Sequence, residues 1–271
     1  YHTLFGGMIA AAQTTTTPRV LLSRFLAPRA RCSVAPMGLR RVEAALLTDG
    51  FAESDVAVVE AERLAEVIGP DTRVIGISAG EACGWGMTST TMTAISGGEI
   101  YPQRLVRELA GRIGRLRGRA SGARVVLGGP GSWQLAANDD LRRALGIDHV
   151  VVGAAEGNVA QVFAHFVGRA SSRPTELPPV ITGAGVPPER IPPIRGAATM
   201  GVVELSRGCG LGCDFCVMGR VPMAHLPAET ILRDVATNVA GGAGAIAAIS
   251  EDILRYGARG PNLDPEALLG L

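Results

Sequence analysis

Lysine is absent from this sequence: all 26 cationic side chains are arginines. The chain therefore cannot form a pyridoxal-phosphate Schiff base or supply the lysine of a P-loop. Cysteine is scarce, with five in 271 residues, and three of those five fall within eight positions. That crowding and the odd count do not read as a disulfide framework, and they fit a reducing, cytoplasmic setting. Long apolar runs are also missing, so no segment reads as a bilayer span. The start, "YHTLFGGMIAAAQTTTTPR", lacks the basic region of a signal peptide. Neither sign of charge dominates: 26 cationic residues against 25 anionic ones leave a net +1. Nothing global therefore suggests a nucleic-acid or membrane partner. The arginines between Arg104 and Arg124 read as the solvated face of a helix.

What is present is globular in composition, 47% hydrophobic and 19% charged. Short apolar runs alternate with helical patterns. Strands are expected over 19–26, 55–59, 72–78, 123–131 and 148–157, and helices over 38–50, 61–68, 102–116, 139–146 and 158–168. Strands apolar at nearly every position, alternating with amphipathic helices, indicate a parallel sheet covered on both faces. The fold class expected for 19–168 is thus a doubly wound, Rossmann-like α/β domain, whose ligands bind beyond the carboxyl ends of the strands. The Gly- and Thr-rich insertion at 78–101 lies at such an end, where Glu81, Cys83, Trp85 and Met87 could face a ligand, although Cys83 reads first as a packing residue. Cys32, His149 and His165 read as packing residues as well. Asn158 reads as a helix cap. Residues 169–199 hold seven prolines between Pro174 and Pro193 and read as a linker or surface strap. A second β/α unit follows over 200–271, with an apolar strand at 201–209, a helix at 227–242 and a strand at 245–250. The chain begins on Tyr1 and breaks off in a helical pattern, "DPEALLGL", so a piece of a longer protein is expected.

The three close cysteines, Cys209, Cys213 and Cys216, read C-x3-C-x2-C in "SRGCGLGCDFCVMGR". Thiolates bind soft or borderline metals, and close spacing lets one loop wrap one centre. Gly208, Gly210 and Gly212 permit the backbone angles of a tight wrap. Three readings follow from the residues. A zinc site needs a fourth ligand, for which His225 is available. An iron–sulfur cluster on three thiolates leaves one iron open. The third reading is a chance clustering of buried cysteines.

This spacing, with Phe215 before the third cysteine and a β/α context, resembles the radical S-adenosylmethionine (SAM) superfamily. The resemblance implies a [4Fe–4S] cluster on Cys209, Cys213 and Cys216, with the amino and carboxyl groups of SAM on the open iron. One electron then cleaves SAM to methionine and a 5′-deoxyadenosyl radical. It further implies a partial, TIM-like β/α barrel begun at 200–271, with most of its repeats lying beyond the sequence. Phe215 is placed near the adenine, and Ser250 and Glu251, with Asp252 beside them in "ISEDILRYG", near the SAM amino group. A doubly wound domain ahead of this core resembles the cobalamin (B12)-binding class of the superfamily. Ser78 in "VIGIS", Gly128 and Gly129 in "VVLGGPG" and Glu156 in "DHVVVGAAEGN" match its cobalamin-binding positions. The first loop, "LAPRARCSVAPMG", lacks the histidine that methionine-synthase-like B12 domains offer to cobalt. The implied activity is radical chemistry on a small molecule, with methyl transfer to an unactivated carbon as the leading outcome. Its electron donor is of the flavodoxin or ferredoxin kind. The alternatives are a cobalamin-independent or non-methylating radical rearrangement or oxidation, and a metal-binding module without turnover. A chain that holds the cluster ligands but little of the barrel is expected to be inactive or poorly stable alone, with exposed apolar strand edges.

Overall fold

A computed structural model describes residues 13, 34–120, 122–169, 176–214, 216 and 218–271. The strand expected over 19–26, Cys32 and Phe215 lie outside these residues. Two compact units divide them. One holds Gln13 and the described residues of 57–185; the other holds 34–56 and 186–271. The second unit opens the described chain with β1 (Val34–Ala35) and α1 (Met37–Thr48). The expected strand at 55–59 does not form. The chain makes one 3-10 turn at Glu53–Asp55 and then runs on without ladder pairing.

The first unit carries the short helix α2 (Leu64–Val67) and, among its described residues, four strands: β2 (Val74–Ser78), β3 (Arg124–Gly128), β4 (His149–Val152) and β5 (Val180–Thr182). They lie in the order β2-β3-β4-β5, all parallel. Helices α3 (Met87–Ser96) and α4 (Tyr101–Arg117) join β2 to β3. Helices α5 (Ser132–Ala136) and α6 (Asp139–Ala144) join β3 to β4, and α7 (Val159–Phe166) follows β4. Side chains alternate across the pleat, so β2, β3 and β4 each serve two cores, while β5 buries only Ile181. Ile75, Ile77, Val125, Leu127 and Val150 pack with Val106 and Ile113 of α4 and Leu135 of α5. Val126, Val151 and Ile181 pack with Val162, Phe163 and Phe166 of α7. This double burial is why the strands are apolar at nearly every position. Each fully buried aliphatic side chain contributes roughly 1.5–3 kcal/mol. His149 is a packing residue: its Nδ1 lies 2.9 Å from the Pro178 carbonyl oxygen, and its ring is 4.9 Å from that of Phe166.

The proline-rich stretch is not a free linker. Val180–Thr182 supplies the fourth strand, with Val150↔Val180 in register, and the Val150 amide donates to the Pro179 carbonyl at 2.8 Å. Prolines ahead of an outer strand leave its ladder intact, and β-branched Val-Ile-Thr suits the strand itself.

The second unit continues with β6 (Ala197–Ala198), β7 (Val202–Glu204), β8 (Ser206–Arg207), β9 (Ala224–His225), α8 (Ala228–Ala240), β10 (Ala247–Ile249) and α9 (Pro265–Leu269). β7 and β10 pair in parallel, from Val202↔Ala247 to Glu204↔Ile249, with α8 in the connection between them. This is a βαβ unit. Its core gathers Ile191, Val203, Leu205, Leu226, Ile231 and Tyr256. The face of α8 that is buried carries Ile231, Asp234 and Asn238. The two polar members satisfy backbone: Asp234 accepts from the Ile194 amide at 2.9 Å, and Asn238 accepts from the Ala198 amide at 2.6 Å and donates to the Val202 carbonyl at 3.0 Å.

Helix α1 belongs here, not to the doubly wound sheet for which its sequence was read. Its two buried arginines explain why. Arg40 Nε donates to the Ala197 carbonyl at 3.0 Å, and Arg41 forms a two-pronged pair with Asp234 at 2.6 and 3.3 Å. Among the described residues β10 has only β7 beside it, and Ile249 is 45% exposed. No helix among the described residues is long and apolar enough to cross a membrane.

Candidate functional site

The three-cysteine loop is the tip of a hairpin. The sequence suggests one strand running from 201 into the loop, but the strand ends at Glu204, and β8 turns away to pair antiparallel with β9. Ser206↔His225 and Arg207↔Ala224 close the hairpin, and the described residues between them form its loop. Inside it the Cys209 amide donates to the Val221 carbonyl at 3.1 Å, Gly212 to Gly219 at 2.8 Å, and Cys216 to Cys213 at 3.1 Å. Gly208, Gly210 and Gly212 have φ of 75°, 69° and 74°, the left-handed region that glycine enters without penalty. At Gly208 a side chain would also run into the Val221 and Pro222 carbonyl oxygens. The glycines therefore fold the cysteine segment back on the returning strand.

Cys209, Cys213 and Cys216 are free thiols, each half-buried. Among the described residues no three His, Cys, Asp or Glu side chains are grouped to hold a single metal ion. A four-iron cube sets a different requirement, because each thiolate binds a different iron and the sulfurs stand farther apart than ligands of one ion. Three free thiols on one glycine-shaped loop supply the donor chemistry of such a cube.

Parallel pairing of β7 with β10 brings the segment after β10 beside this hairpin. Ser250 shares a hydrogen bond between hydroxyls with buried Ser206, and its oxygen also accepts from the Asp252 amide at 3.2 Å. Ser250 thus already has a structural task, tying the carboxyl ends of the two strands together. Glu251 is exposed. Arg255 is 5% exposed and donates through Nη1 to the Cys209 carbonyl at 2.8 Å, with the Cys209 sulfur 3.8 Å away. Sequence reading missed this arginine. It is the single cation in "AAISEDILRYGA", which was a signal, but its contact with Cys209 is 46 positions away and carries no spacing pattern. His225, the fourth-ligand choice for zinc, packs edge-on to Tyr256 with ring centroids 5.6 Å apart. Its Nε2 lies 3.1 Å from the Ala258 carbonyl oxygen, and its buried Nδ1 has no hydrogen-bond partner.

The residues matched to cobalamin all lie at the carboxyl ends of the first unit's strands: Ser78 on β2, Gly128 and Gly129 on β3, and half-buried Glu156 in the turn after β4. The glycines have separate reasons. A Cβ on Gly129, at φ 93°, would sit 2.7 Å from Ser78 Oγ and 2.8 Å from the Ala79 carbonyl oxygen. Gly131 is pressed equally hard against Gly80 and Glu81. These two are demanded by the close approach of the β2 and β3 ends to each other. Gly128 is different, since its nearest neighbour would be the Val151 carbonyl oxygen at 3.9 Å, an ordinary contact. Asn158 makes no cap hydrogen bond. Its side chain instead donates to the Thr182 carbonyl at 3.0 Å and accepts from the Ala184 amide at 2.9 Å, fastening the turn after β4 to the end of β5.

In the insertion after β2, Glu81 accepts from Gln134 at 2.8 Å and from the Gly86 amide at 3.1 Å, while Trp85 and Trp133, both exposed, lie 6.1 Å apart. Cys83 packs against the core. Burial, and then the charge of Glu81, push its thiol up from the ordinary range. Near neutrality it is a thiol rather than a thiolate, and the thiolate is the nucleophile. Its alkylation rate, followed by peptide mass spectrometry, is expected to keep rising with pH beyond the point where an ordinary cysteine levels off. The Glu81→Gln variant is expected to bring that point down. A wild-type plateau at the ordinary thiol value contradicts the assignment.

No protein-family model matches this chain, and no solved structure matches it.

Proposed function

We propose that this chain starts radical chemistry by reductive cleavage of S-adenosylmethionine, with a [4Fe–4S] cluster on Cys209, Cys213 and Cys216, as in the cobalamin-binding class of the radical SAM superfamily. The observation that carries the reading is three free thiols in C-x3-C-x2-C spacing, on a glycine-shaped loop following the first strand of a βαβ unit. A bound cluster would supply the single electron that splits SAM into methionine and a 5′-deoxyadenosyl radical. The chain's own residues do the rest. Cys209, Cys213 and Cys216 would hold the cluster, and with no fourth cysteine in the hairpin one iron would be left for SAM. Ser250 and Glu251, at the end of β10, are assigned to the SAM amino group, and Phe215 to the adenine. The substrate is a small molecule, and a flavodoxin- or ferredoxin-type donor supplies the electron.

For the first unit the reading is cobalamin, and methyl transfer to an unactivated carbon is the reaction class. It is supported by the parallel sheet that precedes the cysteine loop, and by Ser78 and open-sided Gly128 at the sheet's carboxyl edge. Gly129 adds no support, because the fold itself demands it.

The test is anaerobic reconstitution of the purified chain with iron and sulfide, then reduction in the presence of SAM. Broad visible absorbance is expected, and release of 5′-deoxyadenosine would extend the reading from cluster binding to turnover. Stoichiometric zinc without SAM cleavage overturns the reading in favour of a metal-binding module. Purification with hydroxocobalamin tests the first unit separately. Loss of all corrin absorbance on gel filtration removes the methylation step and leaves SAM cleavage in place.

A further inference from the structure

Arg255 is a buried cation. It is 5% exposed, and among the described residues no carboxylate pairs with it. Its hydrogen bonds go to neutral carbonyls: Nε and Nη2 donate to Gly260 at 3.2 and 2.7 Å, and Nη1 to Cys209 at 2.8 Å. A guanidinium removed from water is costly unless a negative charge lies close by. Among the described residues, the group beside it that would become anionic on binding a metal is the Cys209 sulfur, 3.8 Å from Nη1. Three thiolates around a cluster core would place net negative charge there, and that charge grows on reduction.

We infer that Arg255 is a positioning and tuning residue for the cluster. It holds Cys209 by backbone and sulfur and raises the cluster's reduction potential through an N–H···S bond and its fixed charge. The inference rests on the cluster reading above. Hydrogen bonds to ligand sulfurs and nearby charge are established levers on iron–sulfur potentials. A permanent cation favours the more negative, reduced cluster, so removing it lowers the potential. The guanidinium also bridges two backbone segments, Gly260 and Cys209, which ties cluster position to the fold of the segment after β10.

The experiment is an EPR-monitored redox titration of the reconstituted full chain, with Arg255→Gln and Arg255→Lys beside the wild type. Arg255→Gln is expected to lower the reduced-to-oxidised ratio at a fixed ambient potential at least tenfold, a shift of about 59 mV for a one-electron couple. Arg255→Lys, which keeps the charge but not the fork, is expected to fall between. Should Arg255→Gln fail to fold, pulsed EPR of the wild type labelled with 15N-arginine decides the matter. A 15N coupling to the reduced cluster is expected, and its absence overturns the inference. A wild type that takes up no cluster overturns both this inference and the cluster reading. A loaded wild type with no 15N coupling, or an Arg255→Gln variant with unchanged potential, overturns this inference alone.

Discussion

Cys213→Ala is expected to reduce iron uptake on reconstitution from about four atoms per chain to a small residue. The expectation rests on coordination number. A cube on three protein thiolates has no spare protein ligand, so losing one leaves two irons open and two sulfurs to hold the whole. Cys209→Ala and Cys216→Ala should behave alike. His225→Phe is the informative companion. The ring packs edge-on against Tyr256 and the phenyl group keeps that contact, while both ring nitrogens are lost. On the cluster reading this variant keeps its iron, because His225 is not a ligand. On the zinc reading it loses metal as completely as the cysteine variants do, since four ligands complete a structural zinc site. Metal content by elemental analysis across the four variants therefore separates the two chemistries. Equal loss in all four sinks the cluster.

What could be read in the sequence, and what could not, follows from where the information lies. β2, β3 and β4 are legible because double burial writes itself into consecutive residues: "VIGIS", "RVVLG" and "HVVV" need no distant partner to be recognised. The cysteine spacing is legible for the same reason. The pattern of helix α1, "GLRRVEAALL", does not say which unit it joins, because it is equally amphipathic wherever it packs. The deciding fact is that Arg41 meets Asp234, 193 positions away. Strand β5 was hidden by its prolines, which precede the ladder and leave its hydrogen bonds intact. The hairpin beneath the cysteines was hidden by the brevity of β8 and β9, two residues each, too short for any periodicity. Arg255 has the same difficulty as Arg41, since its meaning lies wholly in a partner far along the chain. In this protein local burial patterns are written locally, and the buried cations that fasten elements together are not.

Removing Arg41 is expected to destabilise the second unit by about 3–5 kcal/mol, the usual result of breaking one side of a buried ion pair. The Arg41 and Asp234 side chains are 4% and 0% exposed, so neither has water to fall back on. Arg41 Nη1 also donates to the Pro192 carbonyl at 2.7 Å, and Nε faces Glu204 at 3.8 Å. Glu204 keeps a second partner, Arg207, so the uncompensated charge in Arg41→Met falls chiefly on Asp234. Burial already pushes the Asp234 carboxyl up, against the pull of Arg41 and of the Ile194 amide. Without Arg41 it rises further. A carboxyl raised in the folded state binds protons that the unfolded chain does not, so the folded variant gains stability as pH falls. The loss should shrink as the pH approaches 3.8, the ordinary aspartate value. Asp234→Asn in the same chain removes the orphaned charge while keeping an oxygen for the Ile194 amide. The double variant is therefore expected to recover most of the loss, whereas simple additivity of the two single effects would contradict the account. The measurement is amide exchange over 228–240, where 3 kcal/mol corresponds to roughly a hundredfold faster opening. The same experiment reads residues 205–209. Glu204 lies between Arg41 and the hairpin, so exchange should quicken there too, in the segment that leads to Cys209.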